Sequence, residues 1–301
     1  MTGELLLEQL NKLLGAENVF VDELMSTRCT FRIGGEADFF VTPSSAQQIA
    51  GVVDFAKKEN IPYFVMGNGS NLLVSDNGYR GIIINIGKNM SDVTVDGNTV
   101  TAMAGATLAK IASSAAKNSL TGLEFASGIP GTVGGALCMN AGAYGGEMKD
   151  VVVSTTYLDK DGNICTATGA EHRFGYRTSM FGSGEIIIST VMELKKGNEN
   201  EIISLMADFN DRRRSKQPLE YPSAGSTFKR PEGYFAGKLI EDAGLKGYTV
   251  GGAQVSVKHS GFVINSGSAT CEDVKKLIEH IQKTVYDKFS VKLETEVKFL
   301  N

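Results

Sequence analysis

A chain of 301 residues with 42% hydrophobic content can bury a large core, and divides into two domains more readily than it forms one. Its formal net charge of −4 excludes a general nucleic-acid binder, because Arg212, Arg213 and Arg214 form only a short basic cluster. No apolar run approaches the ~20 residues that cross a bilayer, so no membrane partner is expected.

The N-terminal stretch "MTGELLLEQLNKLLG" places Leu6, Leu10, Leu13 and Leu14 at helical spacing. Acids precede its apolar residues, so it reads as an amphipathic helix and not as a signal peptide. "EADFFVTP" predicts a strand, and "SSAQQIAGVVDFAKKEN" a helix capped by Ser44 or Ser45, with Ile49, Val52, Val53 and Ala56 inward. "IPYFVMG" is a strand that stops at Gly67, and "GIIINIG" is a buried strand. "DVTVDGNTVTAMAG" is a hairpin with its turn at Asp96-Gly97. "TLAKIASSAAKNSL" is a helix, a second hairpin surrounds Asp161-Gly162, and "GEIIISTVMEL" is a strand. In "ENEIISLMADFNDRRRSKQP" the helix would bury Ile202, Leu205, Met206 and Phe209. "TCEDVKKLIEHIQKTVYDKF" is capped by Thr270 and buries Val274, Leu277, Ile278, Ile281 and Val285, and "VKLETEVKFL" is a final strand. Strands, hairpins and helices in this mixture predict an α+β or mixed α/β fold. "KKGNEN", residues 195–200, is the expected domain seam, and no internal repeat is visible.

Cys29, Cys138, Cys165 and Cys271 form no CxxC pair, and His172, His259 and His280 lie at no metal-ligand spacing. A reduced, cytoplasmic, metal-free protein is expected.

Glycine is the outlier: 35 of 301 residues, or roughly 12%, against about 7% in average usage. The glycines cluster between patterned segments, as in a ligand-binding chain and unlike a disordered one. Two clusters carry chemistry. In "MGNGSNLLVSDNG" a strand runs into Gly67, Asn68, Gly69, Ser70 and Asn71, and another strand follows at once. Consecutive small residues can turn several N–H groups into one concavity that binds phosphate, and a plain tight turn is the alternative. A strand where a helix should follow excludes the Rossmann fingerprint. "GYFAGK", residues 233–238, imitates a Walker loop but is one residue short and lacks the hydroxyl for magnesium. The second cluster is "EFASGIPGTVGGALCMNAGAYGGE". Gly128, Ile129, Pro130, Gly131, Thr132 and Gly134 lead into a short helix whose N-terminal N–H groups would face an anion. Two such loops suit a dinucleotide pyrophosphate, and a glycine-rich packing crossover is the alternative.

"FRIGGEADFFVTP", "GNGSNLLVSDNG", "GIPGTVGGALCMNAGAYGGE", "FGYRTSMF", "AGSTFKRP", "GGAQVSVKHSGFVIN" and "LETEVKFL" follow one another in this order. From about Arg28 to the C-terminus the chain thereby resembles the UDP-N-acetylenolpyruvoylglucosamine reductase family of bacterial peptidoglycan synthesis. The resemblance implies an α+β fold: an FAD-binding domain of the vanillyl-alcohol-oxidase (PCMH) type in two subdomains, then a C-terminal α+β substrate domain. On that basis residues 1–27 are a lead-in, 28–195 bind FAD and 196–301 bind substrate. It also implies non-covalent FAD, NADPH as reductant, and the enolpyruvyl nucleotide as substrate; no histidine lies in the N-terminal FAD motifs to tether a flavin. No nucleic-acid partner is expected, and a monomer is favoured.

Hydride addition to the enolpyruvyl β-carbon leaves carbanion character at the α-carbon and its carboxylate. A site for this needs a cation at the carboxylate and a proton donor at the α-carbon. By resemblance, Arg177 in "FGYRTSMF" holds the carboxylate, Ser226 in "AGSTFKRP" donates the proton, and Glu296 in "LETEVKFL" is a neutral acid with its pKa raised by burial. Without the resemblance, each would pass for an ordinary salt-bridging, turn or strand-face residue. Lys216 and Lys229 stand at family substrate positions; Tyr176 adjoins Arg177 and is expected to line the pocket, a packed tyrosine being the alternative; Arg230 stands where some relatives carry asparagine, and His259 is assigned no role. Only Gly182-Ser183-Gly184 joins "YRTSMF" to the next strand, so the chain resembles the shorter subtype that lacks a substrate-covering tyrosine loop. Closure by motion of the C-terminal domain is expected instead. An FAD oxidase acting on an alcohol and a non-catalytic nucleotide-binding module are the competing functions.

Overall fold

The computed structural model describes residues 3–301. Its contacts divide the described residues into two units, one of residues 3–21, 39–68 and 81–212, the other of residues 22–38, 69–80 and 213–301. Among the described residues no helix is long and apolar enough to cross a membrane.

In the first unit, helix α1 (Gly3–Leu14) buries Leu6, Leu10 and Leu14. Leu13 is exposed, contrary to expectation, and the first two residues of the expected helix lie outside the described residues. Helix α2 (Ala46–Lys58) is capped by Ser45, whose hydroxyl accepts the Gln48 N–H, and buries Ile49, Val52, Val53 and Ala56. A four-stranded sheet has the order Val19–Leu24, Glu36–Val41, Tyr79–Asn85, Tyr63–Met66. Its last two strands are parallel, with Tyr63 opposite Ile82 and Met66 opposite Asn85. A five-stranded sheet has the order Ile164–Thr168, Val152–Leu158, Ile186–Glu193, Thr99–Met103, Val93–Asp96, all antiparallel. The Asp96↔Thr99 pair makes Gly97 and Asn98 the central turn residues, one position later than the sequence suggests. Gly97 at φ 58° supplies the left-handed conformation that such a turn demands.

Helix α3 (Leu108–Lys117) and helix α4 (Val133–Cys138) add Leu108, Ile111, Ala112, Ala115, Val133 and Leu137 to one core with Ile82, Ile84 and Val100. Small residues let α4 sit close: a Cβ on Gly134 would lie 3.2 Å from that of Ala104. Helix α5 (Glu199–Lys216) departs from its expected stripe. Only Ile202 is buried and Leu205 is 42% exposed, while Phe209 stacks on Tyr144 with ring centroids 4.5 Å apart. Ile202, the half-buried Met206 packed against the core and the Phe209 ring hold this helix, not a full apolar face.

The second unit contains helix α6 (Ala236–Asp242), helix α7 (Cys271–Phe289) and a three-stranded antiparallel sheet of Thr249–Val250, Ala253–Val255 and Val263–Asn265. α7 buries Val274, Leu277, Ile278, Ile281 and Val285 as its periodicity requires, each stabilising by roughly 1.5–3 kcal/mol. Its N-terminus is fastened twice. Thr270 and Asp273 form a capping box, and the Asp76 carboxylate accepts the Cys271 and Glu272 N–H groups at 2.7 and 3.2 Å. The acid of "SDNG" thus serves α7. The expected final strand is shorter than its sequence suggests: only Lys298–Leu300 is a strand, parallel to Leu72–Val74.

Candidate active site

Strand Tyr63–Met66 delivers the first glycine loop, and Asn85 Nδ2 donates to the Gly67 carbonyl at 2.8 Å. A Cβ on Gly67 would fall 2.1 Å from Thr132 Oγ1. The two glycine-rich loops therefore touch at Gly67 and Thr132, where any larger residue would force them apart. Among the described residues, no main-chain hydrogen bond uses the N–H groups of residues 68–71, nor those of Gly128, Gly131 and Thr132. Such donors facing a ligand suit an anionic diphosphate.

One part of the expectation is corrected. The N-terminal N–H groups of α4 are not available to an anion. Val133 and Gly134 donate to Ala106 and Ala104 at 2.8 Å, Gly135 to Thr132 Oγ1, and Ala136 to the Thr132 carbonyl. The helix docks its end on the turn that follows strand Thr99–Met103, which leaves the loops before it as the candidate anion site.

Arg177 occupies the tip of a two-residue hairpin. Gly175 N–H donates to Thr178 O at 3.0 Å and Thr178 N–H returns to Gly175 O at 3.4 Å. Tyr176 and Arg177 are the central residues, and Arg177 takes φ 55°. A long side chain in the left-handed region costs of order 1–3 kcal/mol, and such strain persists only where the surroundings enforce it. The enforcement is visible at the base of the hairpin. His172 stacks on Phe174 at 4.9 Å and meets Phe181 edge-on at 5.9 Å. The buried His172 ring is itself fixed, Nδ1 donating to Gly169 O at 3.0 Å while Nε2 accepts from Thr155 Oγ1 at 2.9 Å. Arg177 is half-buried, and its guanidinium lies 5.5 Å from the centroid of the exposed Tyr176 ring.

Ser226 and Glu296 are brought together within the second unit. Residues 227–229 and 294–296 pair as antiparallel chain: Phe228 opposes Thr295, Glu296 N–H donates to Thr227 O, and Lys229 N–H donates to Glu294 O, both at 2.9 Å. Buried Thr227 anchors the stretch, its N–H donating to Gly261 O and its Oγ1 accepting the Val263 N–H at 2.9 Å. Ser226, immediately before it, and Glu296, opposite it, are both half-buried. The arrangement sets a hydroxyl-bearing and a carboxyl-bearing segment side by side.

Among the expected substrate contacts, Lys229 Nζ lies 3.1 Å from Glu294 Oε2, Lys216 is exposed at the end of α5, and Tyr176 is exposed. Arg230 covers the Phe235 ring at 3.9 Å. His259 accepts the Gly261 N–H on Nδ1, and its burial pushes its pKa below the ordinary histidine value.

The side-chain contacts of three residues escaped the sequence. Asn71 had been assigned to the first loop, but its side-chain Nδ2 donates to the Glu296 carbonyl at 3.0 Å and its own carbonyl accepts the Lys298 N–H. Asn85 ends a buried strand and gave no signal. Asn140, a polar residue amid glycine and apolar neighbours in "CMNAGAYGG", was a visible anomaly.

A family model described as "FAD binding domain" matches residues 37–168, and one described as "UDP-N-acetylenolpyruvoylglucosamine reductase, C-terminal domain" matches residues 217–300. A UDP-N-acetylenolpyruvoylglucosamine reductase of Caldanaerobacter subterraneus subsp. tengcongensis is 50% identical over 299 residues, covering 99% of each chain. The crystal structure of the reductase from Thermus caldophilus superposes with a TM-score of 0.81 at 34% identity, over 93% of this chain and 98% of that one. Phl p 4.0202, a glucose dehydrogenase, shares the fold alone: TM-score 0.51, 18% identity, 64% of this chain and 44% of that one. With that fold, two touching glycine loops, and near-complete likeness at half identity, the chain belongs to the UDP-N-acetylenolpyruvoylglucosamine reductase family.

Proposed function

We propose that this protein catalyses the FAD-mediated reduction of the enolpyruvyl group of UDP-N-acetylenolpyruvoylglucosamine, giving UDP-N-acetylmuramate for peptidoglycan synthesis, with NADPH as reductant. When bound, FAD would supply the redox chemistry that carries a hydride from NADPH to the β-carbon of the enolpyruvyl group. The chain's residues do the rest. The loops at 67–71 and 128–132 would hold the FAD diphosphate without a covalent tether, the second through the N–H groups of Gly128, Gly131 and Thr132. The Arg177 guanidinium opposes the charge that builds on the substrate carboxylate. Ser226 Oγ gives its proton to the α-carbon, and Glu296 acts in its protonated form, so that no second carboxylate repels the developing charge. Tyr176, Lys216 and Lys229 contact substrate, Lys229 exchanging its Glu294 partner for a phosphate oxygen. Residues 28–195 form the FAD-binding domain and 196–301 the substrate domain. The protein works in the cytoplasm as a monomer, without a nucleic-acid partner.

The observation that carries the assignment of roles is the pairing of residues 227–229 with 294–296, which sets the segments bearing Ser226 and Glu296 side by side. The test is an anaerobic titration in two halves. NADPH should bleach the yellow protein, and the enolpyruvyl nucleotide should restore the colour with one equivalent of product. Bleaching by an alcohol, without recolouring by the nucleotide, would make the protein an oxidase. A preparation that stays colourless after FAD is supplied would make it a nucleotide-binding module.

A further inference from the structure

Asn140 is 1% exposed and holds φ 41°, a left-handed conformation, 35 residues before Gly175 in the hairpin that carries Arg177. Its amide is almost fully used. Nδ2 donates to Glu147 Oε2 at 2.8 Å and to the Gly175 carbonyl at 3.1 Å, while Oδ1 accepts the Lys149 N–H at 3.0 Å. The two ends of an amide are chemically distinct, and here the partners decide which is which. A main-chain N–H can only donate, so it takes the oxygen. The Glu147 carboxylate is also held by Lys149 Nζ at 2.8 Å and accepts one N–H. The second N–H is thereby aimed at Gly175 O, the same carbonyl that receives the Thr178 N–H and closes the turn.

We propose that Asn140 is a positioning residue for Arg177: it clamps the base of the strained hairpin through Gly175, with Glu147 fixing the sense of its amide. The inference rests on Arg177 being the residue that holds the substrate carboxylate. The Arg177 charge reaches the same network. Lys149 first, then Asn140, then the Arg177 charge hold the Glu147 carboxyl below the ordinary carboxylate range, against the opposing effect of burial. A hairpin tip with positive φ at a long residue can relax into several arrangements once its base is freed. A guanidinium that wanders loses its matched two-bond grip on a carboxylate, though its charge remains.

Two variants separate this role from plain structural support. Asn140→Gly accepts the left-handed conformation and removes only the side chain. Asn140→Asp keeps the oxygen for Lys149, removes the donor to Gly175 and sets a second carboxylate against Glu147. The FAD-loaded proteins are titrated calorimetrically with UDP-N-acetylmuramate, which carries the carboxylate, and with UDP-N-acetylglucosamine, which lacks it. Both variants should weaken the first about ten-fold and leave the second within two-fold, while bleaching by NADPH keeps its wild-type rate. Glu147→Gln, which retains an acceptor, should weaken the first ligand less than either. Arg177→Ala, measured in parallel, should weaken the first ligand alone. If Arg177→Ala discriminates and neither Asn140 variant does, the positioning role is overturned and the Arg177 role stands. Equal weakening of both ligands by the Asn140 variants also overturns it, as a general packing defect. If Arg177→Ala spares the carboxylate ligand, the underlying role of Arg177 falls first.

Discussion

The Arg177 hairpin and the Ser226/Glu296 pair solve one problem by different means. The first forces a long residue to φ 55° at a turn and restrains it with side chains, a stacked histidine and a buried asparagine. The second lays two extended segments together and lets main-chain hydrogen bonds set the spacing. A guanidinium on a long stem needs a restrained base before its fork can be aimed, whereas a short hydroxyl follows the main chain directly. Arg177 accordingly stands among the positive-φ residues, and Ser226 and Glu296 do not. The two regions should fail differently when altered.

The largest contrast is expected at Arg177 itself. Arg177→Gly removes both the strain and the guanidinium. Steady-state turnover should fall about 10²–10³-fold, the range for losing a charge-stabilising donor. Stability should hold or rise by up to ~1 kcal/mol, as measured by urea unfolding. A variant that is both inactive and clearly less stable would show that the hairpin is not strained. Next in size is the loop contact. In Gly67→Ala the new methyl group meets Thr132 Oγ1, and relief of such overpacking costs about 1–3 kcal/mol. FAD binding, followed by flavin fluorescence, should weaken about ten- to a hundred-fold, and unchanged affinity would separate the two loops from the cofactor.

A smaller effect belongs to Asn71. Asn71→Ala deletes one hydrogen bond to the Glu296 carbonyl, worth about 1 kcal/mol. It should slow reoxidation of the reduced protein by substrate about five-fold and leave its reduction by NADPH unchanged. The smallest effect lies at the start of α7, far along the chain from any proposed role. The Thr270 N–H, foremost, with the Gly252 N–H, holds the Asp273 carboxyl below its ordinary value. A carboxyl lowered by folding stabilises above the unfolded value near 4, and that contribution is lost as pH falls through the lowered value. Unfolding free energy measured from pH 6 down to 3 should therefore fall less steeply in Asp273→Asn than in wild type. A parallel pair of curves would remove Asp273 from the acid response.

Sequence periodicity showed α1, α2, α3 and α7 because apolar stripes and caps are local signals; Ser45 and Thr270 cap as expected, and the structure adds Thr107 as the cap of α3. It misjudged part of α5: Met206 packs on the core, but Leu205 is exposed and Phe209 is stacked on the exposed Tyr144 ring. It gave α4 an anion-binding end because free N–H groups are the default for a helix start. Nothing local shows that Ala104 and Ala106 consume them. Arg177, Ser226 and Glu296 were legible only as parts of ordered family motifs; alone they look like surface polar residues. Asn140, Asn71 and Asn85 act through carbonyls remote in sequence, and such partners have no signature in a single chain.

Anaerobic stopped-flow of Ser226→Ala bears most directly on the central claim, that the hydroxyl of Ser226, on the segment paired with that of Glu296, protonates the substrate. Reduction by NADPH should match the wild type, and reoxidation by the enolpyruvyl nucleotide should slow by about 10²–10⁴-fold, the range for a lost proton donor. Reoxidation at the wild-type rate would contradict it.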